Sequence, residues 1–168
     1  DISKWVCPRS CDVAVICANV TKLESCRLDP AGTAHINVMA VPDLVNKLID
    51  QGVFVVYLSS AGVFDGSIPY EVPESPFSPL TEHGRQKAEA ERRIDSSNEL
   101  ISILRIGKVL SSHNDLFLSW KTSLGKGHTI NPFLDMPFSP VPLKAIPTGL
   151  SMPPAIMESS SVPSGRIR

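Results

Sequence analysis

The stretch Val53-Phe54-Val55-Val56-Tyr57-Leu58 decides the fold class of this chain. A short apolar run rich in β-branched and aromatic residues is typical of a strand buried in a parallel sheet. Gly52 opens the run and Ser59-Ser60-Ala61-Gly62 closes it. A second apolar run, residues 12–18, predicts another buried strand upstream.

A helix is predicted between these two strands. Residues 34–49 place apolar side chains at helical spacing, and these are Ile36, Ala40, Leu44 and Leu48. Pro42 lies inside this pattern and should kink the helix or mark a joint, because proline has no backbone N–H to donate. Strand, helix and strand together form the βαβ unit of a doubly wound sheet.

The alternation continues after the second strand. Residues 81–94 predict a charged helix with Thr81 as its cap, and residues 100–106 predict a third strand. The pattern therefore favours the α/β class with a doubly wound parallel sheet. In such folds the ligand lies beyond the carboxyl ends of the strands, so the loops after Ile16, Leu58 and Ile106 should share one cleft.

The segment after the second strand carries a family resemblance. Leu58-Ser59-Ser60-Ala61-Gly62-Val63-Phe64-Asp65-Gly66 is similar to the pattern S-[ST]-D-Y-V-F-D-G of the extended short-chain dehydrogenase/reductases, in particular the dTDP-4-dehydrorhamnose reductase family. The resemblance runs from about Asp1 to Leu143. Weaker matching pieces follow the family's order: Asp12 to Asn19, Asp29-Pro30, Ile36-Asn37, Pro69-Tyr70-Glu71, Pro79-Leu80, Gly84 to Lys87, Leu104-Arg105 and Ser139-Pro140-Val141-Pro142.

The resemblance implies a fold, a cofactor and a set of site residues. It implies a partial Rossmann-like domain that uses NAD or NADP to reduce a nucleotide sugar. Ser60, His83 and Lys87 occupy the catalytic positions. The cofactor would be contacted by Cys17, Ala18, Asn19, Leu58 and Lys87, and the substrate by Ser60, Ala61 and Lys108.

His83 stands where the family keeps its catalytic tyrosine. Carbonyl reduction needs a proton donor, a cation that lowers the donor's pKa and a hydroxyl that orients the carbonyl oxygen. By position, Ser60 is the hydroxyl and Lys87 is the cation, which also binds the nicotinamide ribose. A histidine can donate a proton, but its ring ends about 2 Å short of a phenol oxygen, and about 1 Å of misplacement can cost about 10²-fold in rate. The usual reduction is therefore expected to be slow or absent.

Two further departures concern the substrate. Ala61 replaces an acidic residue and Gly62 an aromatic one, which removes a hydrogen bond to the sugar. Lys108 stands where rhamnose-forming relatives often have a stacking tryptophan. A bound nucleotide sugar should therefore be held differently from dTDP-4-dehydrorhamnose.

The glycine-rich phosphate loop of the family does not occur in this sequence. That loop places a dinucleotide pyrophosphate at a helix N-terminus. Because Asp1-Ile2-Ser3 resembles the step after the family's third strand, we interpret the chain as an internal fragment without the first βαβ half. Residues 1–143 should form the partial cofactor domain with the start of a substrate lobe, and residues 144–168 a Pro/Ser-rich irregular or disordered tail.

Simpler interpretations of the site residues stay open. His83 could be a surface residue at a helix start, and Ser59 and Ser60 could be turn residues that end a strand. Lys87 could be one charge of a solvated helix, with Glu91 four positions on. Asn37 could be a polar residue that bridges strand and helix.

The amino-acid composition limits the kinds of partner that are expected. The 16 basic and 17 acidic residues give a net charge of -1, which offers no electrostatic footprint for nucleic acid. No apolar stretch approaches a membrane span, no signal peptide pattern opens the chain, and cytoplasm is expected. The four cysteines, Cys7, Cys11, Cys17 and Cys26, show no metal-site spacing and are expected to be free and buried in a reducing compartment. A homodimer is left open.

Three functional hypotheses follow. The favoured one is a sugar-nucleotide-binding oxidoreductase of reduced or altered activity. The alternative is a non-catalytic regulatory module like the β subunit of methionine adenosyltransferase. The third is a degenerate fragment with no independent function.

Overall fold

The computed structural model describes residues 5, 11–94, 96–111, 114–131 and 140–146. The chain divides into two compact units, Asp1–Gly107 and Lys108–Arg168. The sequence features at residues 1–3, Cys7 and Ser139 lie outside the described residues, as does most of the predicted tail. The predicted domain boundary after residue 143 stays a prediction.

A parallel three-stranded sheet forms the centre of the first unit. Its strands are β1 (Val13–Ile16), β2 (Phe54–Ser60) and β3 (Ile101–Ile106), in the order β1-β2-β3. Ile16 pairs with Tyr57, and Leu58 with Leu104. The three carboxyl ends therefore lie at the same edge of the sheet, and the predicted α/β class with parallel strands is confirmed.

Helices connect these strands. They are α1 (Leu23–Leu28), α2 (Pro30–Ala34), a π-helical segment His35–Ala40, α3 (Val41–Asp50) and α4 (Glu82–Arg93), with a 3₁₀ turn at Ala61–Val63. The second unit contains β4 (Val109–Leu110), α5 (Asp115–Gly125) and β5 (Val141–Pro142), and β4 and β5 pair in parallel. None of the helices that the described residues form is long and apolar enough to cross a membrane.

The predicted helix over residues 34–49 contains a joint. Pro42 lies in the first turn of α3, where the missing N–H costs little, directly after the π-helical segment. The predicted buried face is wrong at Ile36, which is 38% exposed, whereas Asn37 is fully buried. The buried stripe continues from Asn37 through Val41 and Val45, one position after the predicted residues.

The core lies between α3, α4 and the sheet. It includes Tyr57, Val55, Leu48 and Val45, all almost completely buried. Burial of one such side chain contributes about 1.5–3 kcal/mol.

The prediction that the first strand is buried throughout is wrong. Val13 and Val15 are exposed and only Ile16 is buried. Successive side chains of a strand point to opposite faces of the sheet, and the core lies on the face that carries Ala14 and Ile16. Cys17, predicted as a buried thiol, lies after the end of β1 and is exposed. Cys11 is partly buried, Cys26 is buried, and all three are free.

Candidate functional site

The first turn of α4 packs tightly against the turn that follows β2. Thr81 caps the helix as predicted, with its hydroxyl oxygen accepting from the Gly84 N–H at 3.0 Å. A Cβ on Gly84 would lie 2.1 Å from the Gly62 carbonyl oxygen, so only glycine allows this approach. The close contact brings the beginning of α4 to the carboxyl end of β2.

One stripe of α4 carries three buried polar side chains. His83, Lys87 and Glu91 are four positions apart, which places them on the same face of the helix. They are 8%, 3% and 5% exposed. The simpler interpretations of His83 as a surface residue and of Lys87 as a solvated charge are therefore wrong.

Lys87 is anchored to β2. Its Nζ donates to the Leu58 carbonyl oxygen at 2.7 Å and to the Tyr57 hydroxyl at 2.9 Å, and it lies 4.3 Å from the centre of the Tyr57 ring. Burial lowers the pKa of Lys87 to about 8, against a smaller opposing effect of Glu91. An ammonium group has three donors, and these two bonds within the described residues account for two of them.

His83 is buried without a partner for one ring nitrogen. Among the described residues, no group makes a hydrogen bond with its Nε2. Burial lowers the pKa of the imidazole, and the charge of Lys87 lowers it further. A neutral imidazole can donate or accept one hydrogen bond through Nε2. Buried polar atoms in native structures are usually paired, so this nitrogen is a candidate ligand contact.

Ser60 ends β2 next to this stripe. Its Oγ accepts from the Gly62 N–H at 3.0 Å, so the interpretation of Ser60 as a turn residue describes part of its role. Accepting that bond leaves the hydroxyl proton available. Ala61 and Gly62 are exposed in the 3₁₀ turn that follows.

A second polar cluster lies at the other end of the α4 stripe. Glu91 accepts from the Ser59 hydroxyl and forms a two-pronged ion pair with Arg105, in which the Arg105 Nη2 lies 2.7 Å and the Nε 3.0 Å from Oε2. Sequence analysis missed this cluster, because it paired Glu91 with Lys87 by helical spacing. The only sequence signal for this cluster was that Leu104-Arg105 matches the family pattern.

The predicted cofactor residues follow the carboxyl end of β1. Cys17 and Ala18 are exposed there, and the buried Oδ1 of Asn19 has no hydrogen-bond partner among the described residues. Asn37 fixes the next residue, because its amide binds both the N–H of Val20 (2.8 Å) and its carbonyl oxygen (3.0 Å).

The Asn37 amide also donates to Gln86 of α4 at 2.9 Å. It joins the end of β1 to α4, so the interpretation of Asn37 as a bridging residue is confirmed.

Lys108 belongs to the second unit. Its side chain is exposed, and its backbone carbonyl oxygen accepts from the Val141 N–H at 2.9 Å, which supports the pairing of β4 with β5. Its contact with a substrate stays a prediction. The structure thus brings Ser60, His83 and Lys87 to one end of β2.

Comparison with known proteins identifies the family. The model of the RmlD substrate binding domain matches residues 1–135 of this chain. The chain belongs to the RmlD-like sugar-nucleotide reductase family. The resemblance predicted from the sequence is confirmed.

Two relatives of this RmlD-like chain differ in their described roles. The probable low-salt glycan biosynthesis reductase Agl14 of Haloferax volcanii is 29% identical over 137 residues, which cover 77% of this chain and 45% of that protein. Methionine adenosyltransferase 2 subunit beta of Xenopus tropicalis is 32% identical over 94 residues, which cover 56% of this chain and 28% of that protein. The chain thus spans less than half the length of either relative.

Solved structures share the fold of this RmlD-like chain. A hypothetical dTDP-4-dehydrorhamnose reductase from Sulfolobus tokodaii superposes with a TM-score of 0.73 at 22% identity, covering 83% of this chain and 50% of that one. The dTDP-4-dehydrorhamnose reductase of Bacillus anthracis, in complex with NADP, gives a TM-score of 0.61 at 20% identity. The match covers 70% of this chain and 42% of that one. The predicted partial Rossmann-like fold is confirmed.

Proposed function

We propose that this chain supplies the Ser60, His83 and Lys87 side of a nucleotide-sugar site in an NAD(P)-dependent reductase-like protein of reduced or altered activity. The observation that carries the proposal is the buried stripe of α4. There Lys87 is anchored to the end of β2, and one turn away the Nε2 of His83 is buried with no partner among the described residues. Membership in the RmlD-like family supports the substrate class.

Each residue of the site has a distinct part in this proposal. The Ser60 hydroxyl would orient the ligand's carbonyl oxygen with the proton that its bond to Gly62 leaves free. Lys87 would use its third donor for a ribose hydroxyl of the cofactor. The neutral His83 would make a hydrogen bond with a hydroxyl or carbonyl of the sugar.

The residues at the strand ends fit the nicotinamide half of a cofactor, which supplies the hydride when bound. Asn19 has a buried Oδ1 that lacks a partner in the described part of the chain, and Lys87 lies across the same edge of the sheet. The sequence holds no glycine-rich loop for the pyrophosphate. The complex of the Bacillus anthracis reductase with NADP supports a nicotinamide cofactor. We propose NAD or NADP without choosing between them.

Two features support a slow reaction. The lowered pKa of His83 makes the imidazolium, the better proton donor, scarce at neutral pH. Tyr57 does not replace the missing tyrosine, although its hydroxyl lies beside Lys87. It is fully buried, and burial raises its pKa. Neither group is a good acid for a bound carbonyl.

The alternative is a binding or regulatory module without turnover. The match to the β subunit of methionine adenosyltransferase 2 favours it, as does the inward anchoring of Lys87 on Tyr57. Under both proposals, residues 1–143 act as the cofactor domain with the start of a substrate lobe.

Substitution of His83→Tyr separates the reductase from the regulatory module. A silenced reductase would gain at least about tenfold in NADPH or NADH oxidation with a 4-keto nucleotide sugar, since a restored phenol meets the needs of general acid catalysis. His35→Tyr, at an exposed histidine, is the matched control. No gain would favour the regulatory module, and a wild type that already turns over rapidly would refute the claim that His83 impairs the reaction.

A further inference from the structure

Arg105 contacts both ends and the middle of one loop. The segment Phe64–Ser78, here called the 64–78 loop, begins directly after the 3₁₀ turn. The guanidinium of Arg105 lies 5.1 Å from the ring centres of both Phe64 and Phe77, and its Nη1 donates to the Pro73 carbonyl oxygen at 2.8 Å. One side chain thus holds three separated points of this segment.

Among the described residues, few other contacts hold the loop to the rest of the unit, and one of them is Arg92 of α4, which lies 5.0 Å from the centre of the Phe77 ring. The ends of the loop are tied to each other, since the Ser78 N–H donates to the Val63 carbonyl oxygen and the Asp65 N–H to the Ser78 hydroxyl. Its middle is exposed, with Ile68, Tyr70 and Val72 in contact with solvent. Tyr70 has a φ of +60°, a strained value for a residue with a side chain. Among the described residues, the hydrogen bond from Arg105 to the Pro73 carbonyl oxygen is therefore the main restraint on the middle of the loop.

Arg105 is itself held in place. Its Nε and Nη2 bind the buried Glu91, which also accepts from the Ser59 hydroxyl beside Ser60. The guanidinium fork divides its donors, with two nitrogens on the carboxylate and the third on the loop. A lysine at this position would keep the charge but has no fork to reach both partners.

We infer that Arg105 is a positioning residue that sets the 64–78 loop, and through it the Ser60–Val63 turn, for binding the sugar end of a nucleotide sugar. It acts through Pro73, Phe64 and Phe77, without itself contacting the ligand. The inference rests on the proposed function for its ligand. The restraint on the loop exists without any ligand.

Hydrogen exchange of the ligand-free chain tests the restraint. Arg105→Lys should raise exchange by about tenfold at the hydrogen-bonded amides of residues 64–72, those of Phe64, Asp65 and Ser67, because a charge-assisted bond to Pro73 is lost while the pair with Glu91 remains. Exchange in α4 and β3 should stay at the wild-type rate. The matched control is Arg92→Lys, since Arg92 also stacks on Phe77 but pairs with the exposed Glu89. Unchanged exchange in residues 64–72, or an equal rise in α4 and β3, would overturn the inference.

A second variant tests the same restraint in case Arg105→Lys does not fold. Phe77→Leu removes one ring from Arg105 and leaves the ion pair with Glu91 intact. It should also raise exchange in residues 64–72 and not in β3, and wild-type exchange there would count against the inference.

Titration with dTDP-glucose tests the link to the ligand. Arg105→Lys should weaken the binding of dTDP-glucose several-fold and leave the binding of NADPH unchanged. If Arg105 only stabilised the fold, its substitution would affect the binding of both ligands. Raised loop exchange with unchanged affinity for dTDP-glucose would overturn this link. If the wild type does not bind dTDP-glucose at all, the proposed function fails, and the exchange result alone decides whether Arg105 positions the loop.

Discussion

The two ends of the α4 stripe are equally buried but differ in their partners. At one end, the carboxylate of Glu91 is bound by the Arg105 guanidinium and by the Ser59 hydroxyl. At the other end, the Nε2 of His83 has no partner among the described residues. Lys87 lies between them, with two of its three donors used inside the protein.

This difference in partners distinguishes a polar group that stabilises the fold from one that is available to bind a ligand. A buried polar group with all its partners holds elements together, and its removal leaves those partners unsatisfied. A buried polar group without a partner costs stability unless a ligand completes it. The Glu91 end should therefore respond to mutation through stability, and the His83 end through ligand binding.

The largest stability effect is expected at the Glu91 end. Glu91→Ala leaves Arg105 unpaired in a site where it is 20% exposed and removes the acceptor for Ser59. Loss of one partner of a buried ion pair costs about 3 kcal/mol. Urea unfolding measures this loss in the free energy of unfolding. The matched control is Glu89→Ala, whose exposed pair with Arg92 contributes about 0–1 kcal/mol. Equal losses of unfolding free energy in Glu91→Ala and Glu89→Ala would contradict the stabilising role of the Glu91 end.

The middle of the stripe should respond to pH. The pKa of Lys87 is about 8 when folded, below its ordinary value of 10.5. Below pH 8 both states carry the charge, and the cost of burying it is fully present. Above pH 8 the folded state loses its proton first, so the free energy of unfolding should rise by up to about 1.4 kcal/mol per pH unit.

Urea unfolding between pH 8 and about 9.5 checks this rise, below the ordinary titration of tyrosine near pH 10. Burial raises the pKa of Cys26, which lowers the free energy of unfolding as pH rises over the same range, so the difference in slope between the wild type and Lys87→Met measures the effect of Lys87. Lys87→Met removes the titrating group and should unfold with a flatter pH dependence over the same range. A rise of the same size in Lys87→Met would show that another group causes it.

The smallest effect concerns the cap that precedes His83. Thr81→Ala removes the acceptor for the Gly84 N–H and should lower the free energy of unfolding by about 1 kcal/mol. Thr122→Ala in α5 is the control. Its hydroxyl donates back to the Leu118 carbonyl oxygen within the same helix, and its loss should cost close to nothing. Thermal unfolding of both variants measures the difference, and equal shifts would mean that the cap does not stabilise α4.

The sequence predicted those features that depend on local pattern. The strands near Val55 and Ile103, the cap at Thr81 and the joint at Pro42 follow from apolar runs and backbone chemistry that a few neighbouring residues determine. The family match placed Ser60, His83 and Lys87 at one site, and the structure brings them to the same end of β2.

Other features depend on contacts between residues far apart in the chain. Helical spacing paired Lys87 with Glu91, whereas strand register brings Arg105 to Glu91 and the strand end brings Leu58 to Lys87. Asn37 is buried in place of Ile36, and its bonds to Val20 and Gln86 join residues that the apolar pattern does not relate. Cys17 is exposed and lies beyond the end of β1, and run length alone did not locate that end.

The central claim is that the His83 Nε2, which has no hydrogen-bond partner in the described part of the chain, contacts a nucleotide sugar. The most direct test is ¹⁵N NMR of the histidine side chains during titration with dTDP-glucose, with the exposed His35 and His128 as internal controls. The account predicts that the Nε2 resonance of His83 shifts on saturation while those of the controls stay in place. An unchanged His83 resonance with bound dTDP-glucose would contradict it, because the ligand would then bind without the buried end of the α4 stripe.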